Sequence, residues 1–288
     1  MPVKENQTNL TVVILSYNEE INIRQSLSNV CDWAAYIYVL DSGSKDKTCD
    51  LAREYGAEVF SRKFDTYAKQ RNYAIKELPI KTEWMLFLDA DEFLLDELKD
   101  EISDTIINGN HYDGFYLKRR FYFMDKWIKY GGYYPTWILR LFKHKLASCD
   151  RDMNEHIIVN GKVGHLRNDF VDNNKKGITD WIEKHNKYAT FEARELMKNI
   201  NNPEVTDELA NLFGTQVERK RWIREKIWNR LLPPLIRPFL YYLYRYFLRL
   251  GFLDGKVGFI YHTLHGLFYR LLIDVKFIEM KYKEKNKK

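Results

Sequence analysis

Through the first hundred residues, short apolar runs rich in β-branched side chains alternate with longer polar stretches, the rhythm of a strand followed by a crossover helix. Strands are predicted at 11–16, 36–40, 58–61 and 84–88. Between them the pattern predicts helices at about 20–30, 47–55 and 67–76, long enough for right-handed crossovers between parallel strands. The result is an α/β architecture with a mostly parallel sheet. Ligands of such sheets bind outside the carboxyl ends of the strands, so the residues just after each strand carry the interest.

Beyond residue 110 the pattern changes. Residues 111–142 alternate aromatic with basic side chains, broken by Gly131, Gly132 and Pro135, as in antiparallel strands joined by a turn. Residues 176–200 and 204–230 read as two helices, and Leu231-Leu-Pro-Pro-Leu opens a segment of different character. Two regions are expected, a catalytic domain over 1–200 and a basic, aromatic helical region over 201–288.

Composition refines this division. A chain of 288 residues, 45% hydrophobic and 30% charged, can bury a full core. Residues 215–288 hold 17 Lys and Arg against 6 Asp and Glu, while the preceding residues are net acidic, so a basic partner surface belongs to the C-terminal part. Cys31, Cys49 and Cys149 show neither CxxC nor CxxH spacing, which argues against a zinc cluster and a disulfide framework. The polar opening has no apolar run of a secretion signal, and the expected location is the cytoplasm, at the inner face of the cytoplasmic membrane.

The first, second and fourth predicted strands end in Ser16-Tyr17-Asn18-Glu19-Glu20, Asp41-Ser42-Gly43-Ser44-Lys45-Asp46 and Asp89-Ala90-Asp91-Glu92. Carboxylates so placed can bind a ribose and hold a divalent cation against a diphosphate. Asp89 and Asp91, two apart on an extended segment, would face one ligand. With Glu92 they make three acids that repel one another unless a cation joins them. An acidic pair alone is equally compatible with a solvated turn or a helix cap.

Val13-Ile-Leu-Ser-Tyr-Asn-Glu-Glu, Val39-Leu-Asp-Ser-Gly-Ser-Lys-Asp-Lys-Thr, Ala68-Lys-Gln-Arg-Asn and Phe87-Leu-Asp-Ala-Asp-Glu together resemble glycosyltransferase family 2 of the GT-A fold. Arg140-Leu-Phe, Asn154-Glu-His and Gly251-Phe-Leu-Asp-Gly-Lys-Val-Gly extend the similarity towards the branch of lipopolysaccharide core glucosyltransferases. The resemblance implies an inverting, metal-dependent transfer of a hexose, glucose first among them, from a UDP-sugar to a lipid-linked or surface-glycan acceptor. It implies that Tyr17 and Glu19 flank the nucleotide, Asp41 binds the base, Asp89 contacts the ribose and Asp91 holds Mg²⁺ or Mn²⁺. For Asp41 the alternative is a turn-forming carboxylate before Ser-Gly.

Lys69, Gln70, Arg71 and Asn72 open a helix, where N–H groups and a cation can meet a diphosphate. Arg71 and Asn72 are the favoured contacts. Inversion requires a base to take the acceptor proton. By similarity this is Glu155, with His156 orienting it or ligating the metal, while Asp152 and His156 stay open as the base itself. Arg140 stands in an apolar context and calls for a carboxylate or phosphate partner.

Residues 231–250 are greasy but interrupted by three prolines and three arginines, which disfavours a spanning helix. They fit helices lying in the interface of an anionic membrane, with 259–277 as a second such element and lysines at 281–288 adding attraction. Packing on a second subunit, giving a homo-oligomer, is the alternative. Nucleic acid is not expected, because no RNA or DNA module accompanies the charge. Rival functions are a phosphatase that uses the DxD acids, whose nucleophile would follow the first strand, and a non-catalytic membrane adaptor.

Overall fold

The computed structural model describes residues 7–109, 111–149, 157–201 and 232–286. These fall into two compact units, one within residues 1–128 and 133–176, the other within 129–132 and 177–288. The second unit thus joins residues 129–132 to the part that starts at residue 177, where a long helix opens.

The first unit is built on a mixed sheet. β1 (Thr8–Ser16), β2 (Ala34–Asp41), β3 (Glu58–Ser61) and β4 (Trp84–Asp89) are parallel and lie in the order β3-β2-β1-β4. The predicted strands thus appear with small extensions at their ends. α1 (Ile23–Val30), α2 (Thr48–Glu54) and α3 (Tyr67–Lys76) make the crossovers. Thr66 caps α3 by accepting a hydrogen bond from the Lys69 N–H.

Successive residues of each strand point to opposite faces. Val12 and Ile14 of β1 enter a core with Leu27 of α1, Leu51 of α2 and Leu98 of α4 (Asp96–Ile107), while Val13 enters another with Ala74 and Ile75 of α3. Both faces are covered, so these strands read as nearly continuous apolar runs.

Past β4 the sheet continues through β8 (Thr136–Lys143), β6 (Gly114–Phe123), β11 (Val163–Asn173) and β5 (Glu92–Leu94), with β7 (Lys126–Trp127) pairing to β6. β8 runs antiparallel to β4 and β6, whereas β11 is parallel to β6. β9 (Ala147–Cys149) and β10 (Ile157–Val159) form a separate hairpin.

β5 follows β4 after only Ala90 and Asp91, yet it pairs with β11 at the far end of the strand order. The second half of the sheet therefore curls back towards the end of β4. Asp91 sits in the intervening turn, which corrects the expectation that Asp89 and Asp91 share one extended segment.

The second unit is helical, with α5 (Gly177–Asn201), α6 (Arg237–Leu243), α7 (Gly255–Tyr261) and α8 (Tyr269–Lys285). The helix predicted at 176–200 is α5, and the one predicted at 204–230 lies outside the described residues. Ala189 of α5 packs with Tyr269 and Ile273 of α8. Buried Arg237 pairs with buried Asp274, its Nε 2.8 Å from Oδ1. The buried carboxylate of Asp254 accepts from the Lys129 and Tyr130 N–H groups, and the Gly131 N–H donates to the Arg249 carbonyl. Gly131 has φ +68°, and a Cβ there would stand 2.0 Å from the His262 ring, so only glycine fits.

Candidate active site

Parallel pairing sets Ser16 beside Asp41 and Leu15 beside Asp89, so the polar ends of β1, β2 and β4 share one edge of the sheet. Two strand spacings separate Asp41 from Asp89, about 10 Å.

Asp41 is buried and fully engaged. Its Oδ2 accepts from the Gly43 and Ser44 N–H groups at 2.8 and 2.7 Å, and its Oδ1 from the Ser16 and Ser44 hydroxyls. Gly43, at φ +93°, supplies the left-handed turn. Asp41 thus stands as the turn-forming carboxylate that shapes the loop after β2. That loop is joined to the one after β1: the Asn18 N–H donates to the Ser44 hydroxyl, the Glu19 N–H to the Thr48 hydroxyl and the Lys45 N–H to the Asn18 amide oxygen. Tyr17, 54% exposed, projects from this pair of loops.

Asp89 lies between two buried arginines. Arg71 Nη2 is 3.2 Å from Oδ1 and Arg140 Nη2 is 2.8 Å from Oδ2. The Arg71 guanidinium also sits over the Phe87 ring, 5.2 Å from its centroid. Arg140 lies directly before the stretch of β8 that pairs with β4, whose register runs from Trp84↔Lys143 to Leu86↔Leu141. Its Nη2 also touches Glu92 at 2.5 Å, and Glu92 accepts the Asp89 N–H at 2.8 Å.

Arg140 is a cation that joins two of the three acids, Asp89 and Glu92, so that pair does not depend on a metal ion. Burial still pushes the Glu92 carboxyl above the usual range, with Arg140 opposing and Asp89 adding to the rise.

Asp91 has different company. Its Oδ2 accepts from the Asn174 amide at 2.9 Å, and its charge helps raise the Glu19 carboxyl. For Glu19, burial is the larger cause of the rise, opposed by hydrogen bonds from Lys176 at 2.6 Å and Asn22 at 2.8 Å. Asn22 Oδ1 in turn accepts the Lys175 N–H, and Asn174 Oδ1 the Lys176 N–H. The loop 173–176 therefore ties the segment after β1 to the acidic turn.

Sequence reasoning missed Asn174 and Lys176. The available signal was their place directly after a strand, in a polar run ending at Gly177.

Asn72 has another role than the expected diphosphate contact. Its amide donates to the Cys149 carbonyl at 2.7 Å and accepts the Cys149 N–H at 2.9 Å, fastening β9 to α3. It faces β9 from α3, and this explains the difference. Glu155 and His156, with Asp150 and Asp152, lie outside the described residues.

The side chains fit a divalent cation at Asp91 better than at Asp89, because both Asp89 oxygens already meet guanidinium groups. Among the described residues no group of three or more His, Cys, Asp or Glu side chains can hold a metal ion. A cation here would draw on one protein carboxylate plus ligand phosphates and water, a common arrangement for Mg²⁺.

Comparison with known proteins follows the same lines. Residues 11–170 match the family model for glycosyl transferase family 2. An uncharacterized glycosyltransferase of Rickettsia typhi is 26% identical over 294 residues, covering 96% of this chain and 89% of its own. The SPbeta prophage-derived glycosyltransferase SunS of Bacillus subtilis is 31% identical over 102 residues, covering 35% of this chain and 24% of its own. The mannosyltransferase PcManGT of Pyrobaculum calidifontis, solved in complex with GDP-Man and Mn²⁺, aligns with a TM-score of 0.50 at 14% identity over 94% of this chain and 87% of that one. That likeness is one of fold.

Proposed function

The chain belongs to glycosyl transferase family 2, and from that premise we propose that it moves a hexose, glucose in the first instance, from a UDP-sugar to a lipid-linked or surface-glycan acceptor with inversion. The observation that carries this reading is Asp89, fixed at the end of β4 by Arg71 and Arg140, two residues before a half-exposed Asp91.

Each side chain has a task on this reading. The two arginines hold Asp89 oriented, so that its carboxylate can accept from ribose hydroxyls. Tyr17 offers an exposed ring for the base. Asp91 would hold Mg²⁺ or Mn²⁺, which neutralises charge on the departing diphosphate. Lys176 brings an ammonium group, only 16% exposed, to the same end of the sheet. Its ammonium group, paired with Glu19, stands where a phosphate oxygen of the donor could add to that contact.

In the transfer, the acceptor oxygen bonds to the anomeric carbon as the bond from that carbon to the diphosphate oxygen breaks. The acceptor proton passes to the Glu155 carboxylate, with His156 orienting it. The bond pair leaves with the diphosphate.

Support for a phosphatase is weaker. The residue after the core of β1 is Ser16, hydrogen-bonded to Asp41, and Asp89 is held between two guanidinium groups that lower its nucleophilicity. A thermal-shift panel of UDP- and GDP-sugars with Mn²⁺ tests the proposal. One nucleotide sugar should raise the melting temperature in a metal-dependent way. No shift with any member would overturn it, and a selective GDP response would replace uridine by guanosine.

A further inference from the structure

We propose that the second unit docks on an anionic lipid surface through the outward face of the helical run 237–248, lying along the surface rather than across it. The inference stands apart from the transfer chemistry and rests on how this helix is turned.

Arg237 and Pro238 at its start are buried, and the Arg237–Asp274 pair, joined by the Leu235 N–H on the same carboxylate, fixes the rotation of the helix against α8. That rotation points the apolar side outwards. Phe239, Leu243 and Phe247 form one row at steps of four, with Leu240, Tyr244 and Leu248 beside it. All six are between 40% and 77% exposed. A soluble helix normally buries such a stripe, and a contiguous exposed apolar face of this kind marks a binding surface.

Charge selects the partner. Between residues 232 and 273 the sole acidic side chain is Asp254, which is buried and engaged with the Lys129 and Tyr130 N–H groups. Arg249, directly after the apolar rows in the chain, and Lys256 are both exposed. An apolar stripe in a segment that carries exposed cations and no exposed acid of its own complements anionic headgroups above acyl chains. A second copy of this chain fits less well, because a two-fold contact would set these cations against their own copies.

Length sets the orientation. Twelve helical residues span about 18 Å, short of the roughly 30 Å hydrocarbon core. Among the described residues no helix is long and apolar enough to cross a membrane.

The structure also narrows the surface expected from sequence. Tyr261, Tyr269, Ile273 and Phe277, within the supposed second interfacial element at 259–277, are buried inside the unit. Phe259, Phe268 and Val275 of the same stretch stay exposed, so the second element is only partly turned outward and the 237–248 face is the main candidate for lipid contact.

The test is co-sedimentation of the full chain with phosphatidylcholine vesicles, with and without phosphatidylglycerol. The parent should bind the anionic vesicles and bind the neutral ones less. The combined variant Phe239→Gln, Leu243→Gln, Phe247→Gln should lose at least about tenfold in partitioning with an unchanged melting temperature, since all three side chains already face solvent. As a control, Ile178→Gln with Ile182→Gln, two exposed apolar positions on α5, should bind as the parent does. Parental binding by the triple variant would overturn the proposal. So would a parent that ignores anionic vesicles and elutes as a dimer that the triple variant dissociates, which would assign the face to a second copy.

Discussion

Arg140 places a single guanidinium nitrogen 2.8 Å from Asp89 and 2.5 Å from Glu92, joining an acid at the end of β4 to one at the start of β5. Glu92 is 2% exposed on its side chain, so its charge depends on this contact. Arg140→Met should cost about 3–5 kcal/mol, the penalty of stranding a buried charge, measured by urea unfolding at a pH above the raised Glu92 value of about 8, where the carboxyl is ionised. The loss should shrink as pH falls, because Glu92, whose folded pKa is already raised, takes up a proton and sheds its charge. A loss under about 1 kcal/mol would mean that Glu92 is not relying on the arginine.

Asp91→Ala removes a carboxylate that accepts from the Asn174 amide, and no core packing. Mn²⁺-dependent binding of a nucleoside diphosphate should disappear in calorimetry while the melting temperature holds. Unchanged binding would take the metal away from Asp91.

Lys176→Met should weaken a nucleoside diphosphate by about tenfold or more, the worth of a charge-assisted phosphate contact, and leave the affinity for the nucleoside alone. Equal affinities for both ligands in parent and variant would reduce Lys176 to a structural partner of Glu19.

Glu155→Gln should keep donor affinity and lose most transfer, because the amide cannot accept the acceptor proton. Retained turnover in a steady-state assay would move the base to Asp152 or His156.

Stability of the helical unit should fall in mild acid. Burial lowers the His185 pKa to about 4, with the Trp181 carbonyl and Glu192 opposing and Lys184 and Arg270 assisting. His262 is lowered to about 4 as well, by burial and then Arg245. A histidine held neutral in the fold stabilises fully above its unfolded value near 6.5 and loses that contribution as pH drops towards 4. Melting followed by circular dichroism across this window should show the loss, and His185→Gln should reduce it. A flat profile would contradict the burial of these rings.

Much of the first unit was legible from pattern alone. Runs such as Val12-Val13-Ile14 and Leu86-Phe87-Leu88 are apolar on both faces, which only a covered parallel strand requires. The polar residues that end them had to lie at the sheet edge. The cap at Thr66 and the turn at Gly43 were local and equally readable. Asn72 was misjudged because its partner, Cys149, is 77 residues away.

Periodicity along the chain therefore determined which segments are strands or helices and which acids stand at strand ends, since side-chain burial repeats with local backbone geometry. Which cation or amide meets which acid was decided only by tertiary structure. Arg140 and Glu92 are 48 residues apart, Asn174 and Asp91 83, and Lys176 and Glu19 157. No local repeat encodes such pairs. They meet because the second half of the sheet curls back on β4, and that curvature comes from packing between distant strands.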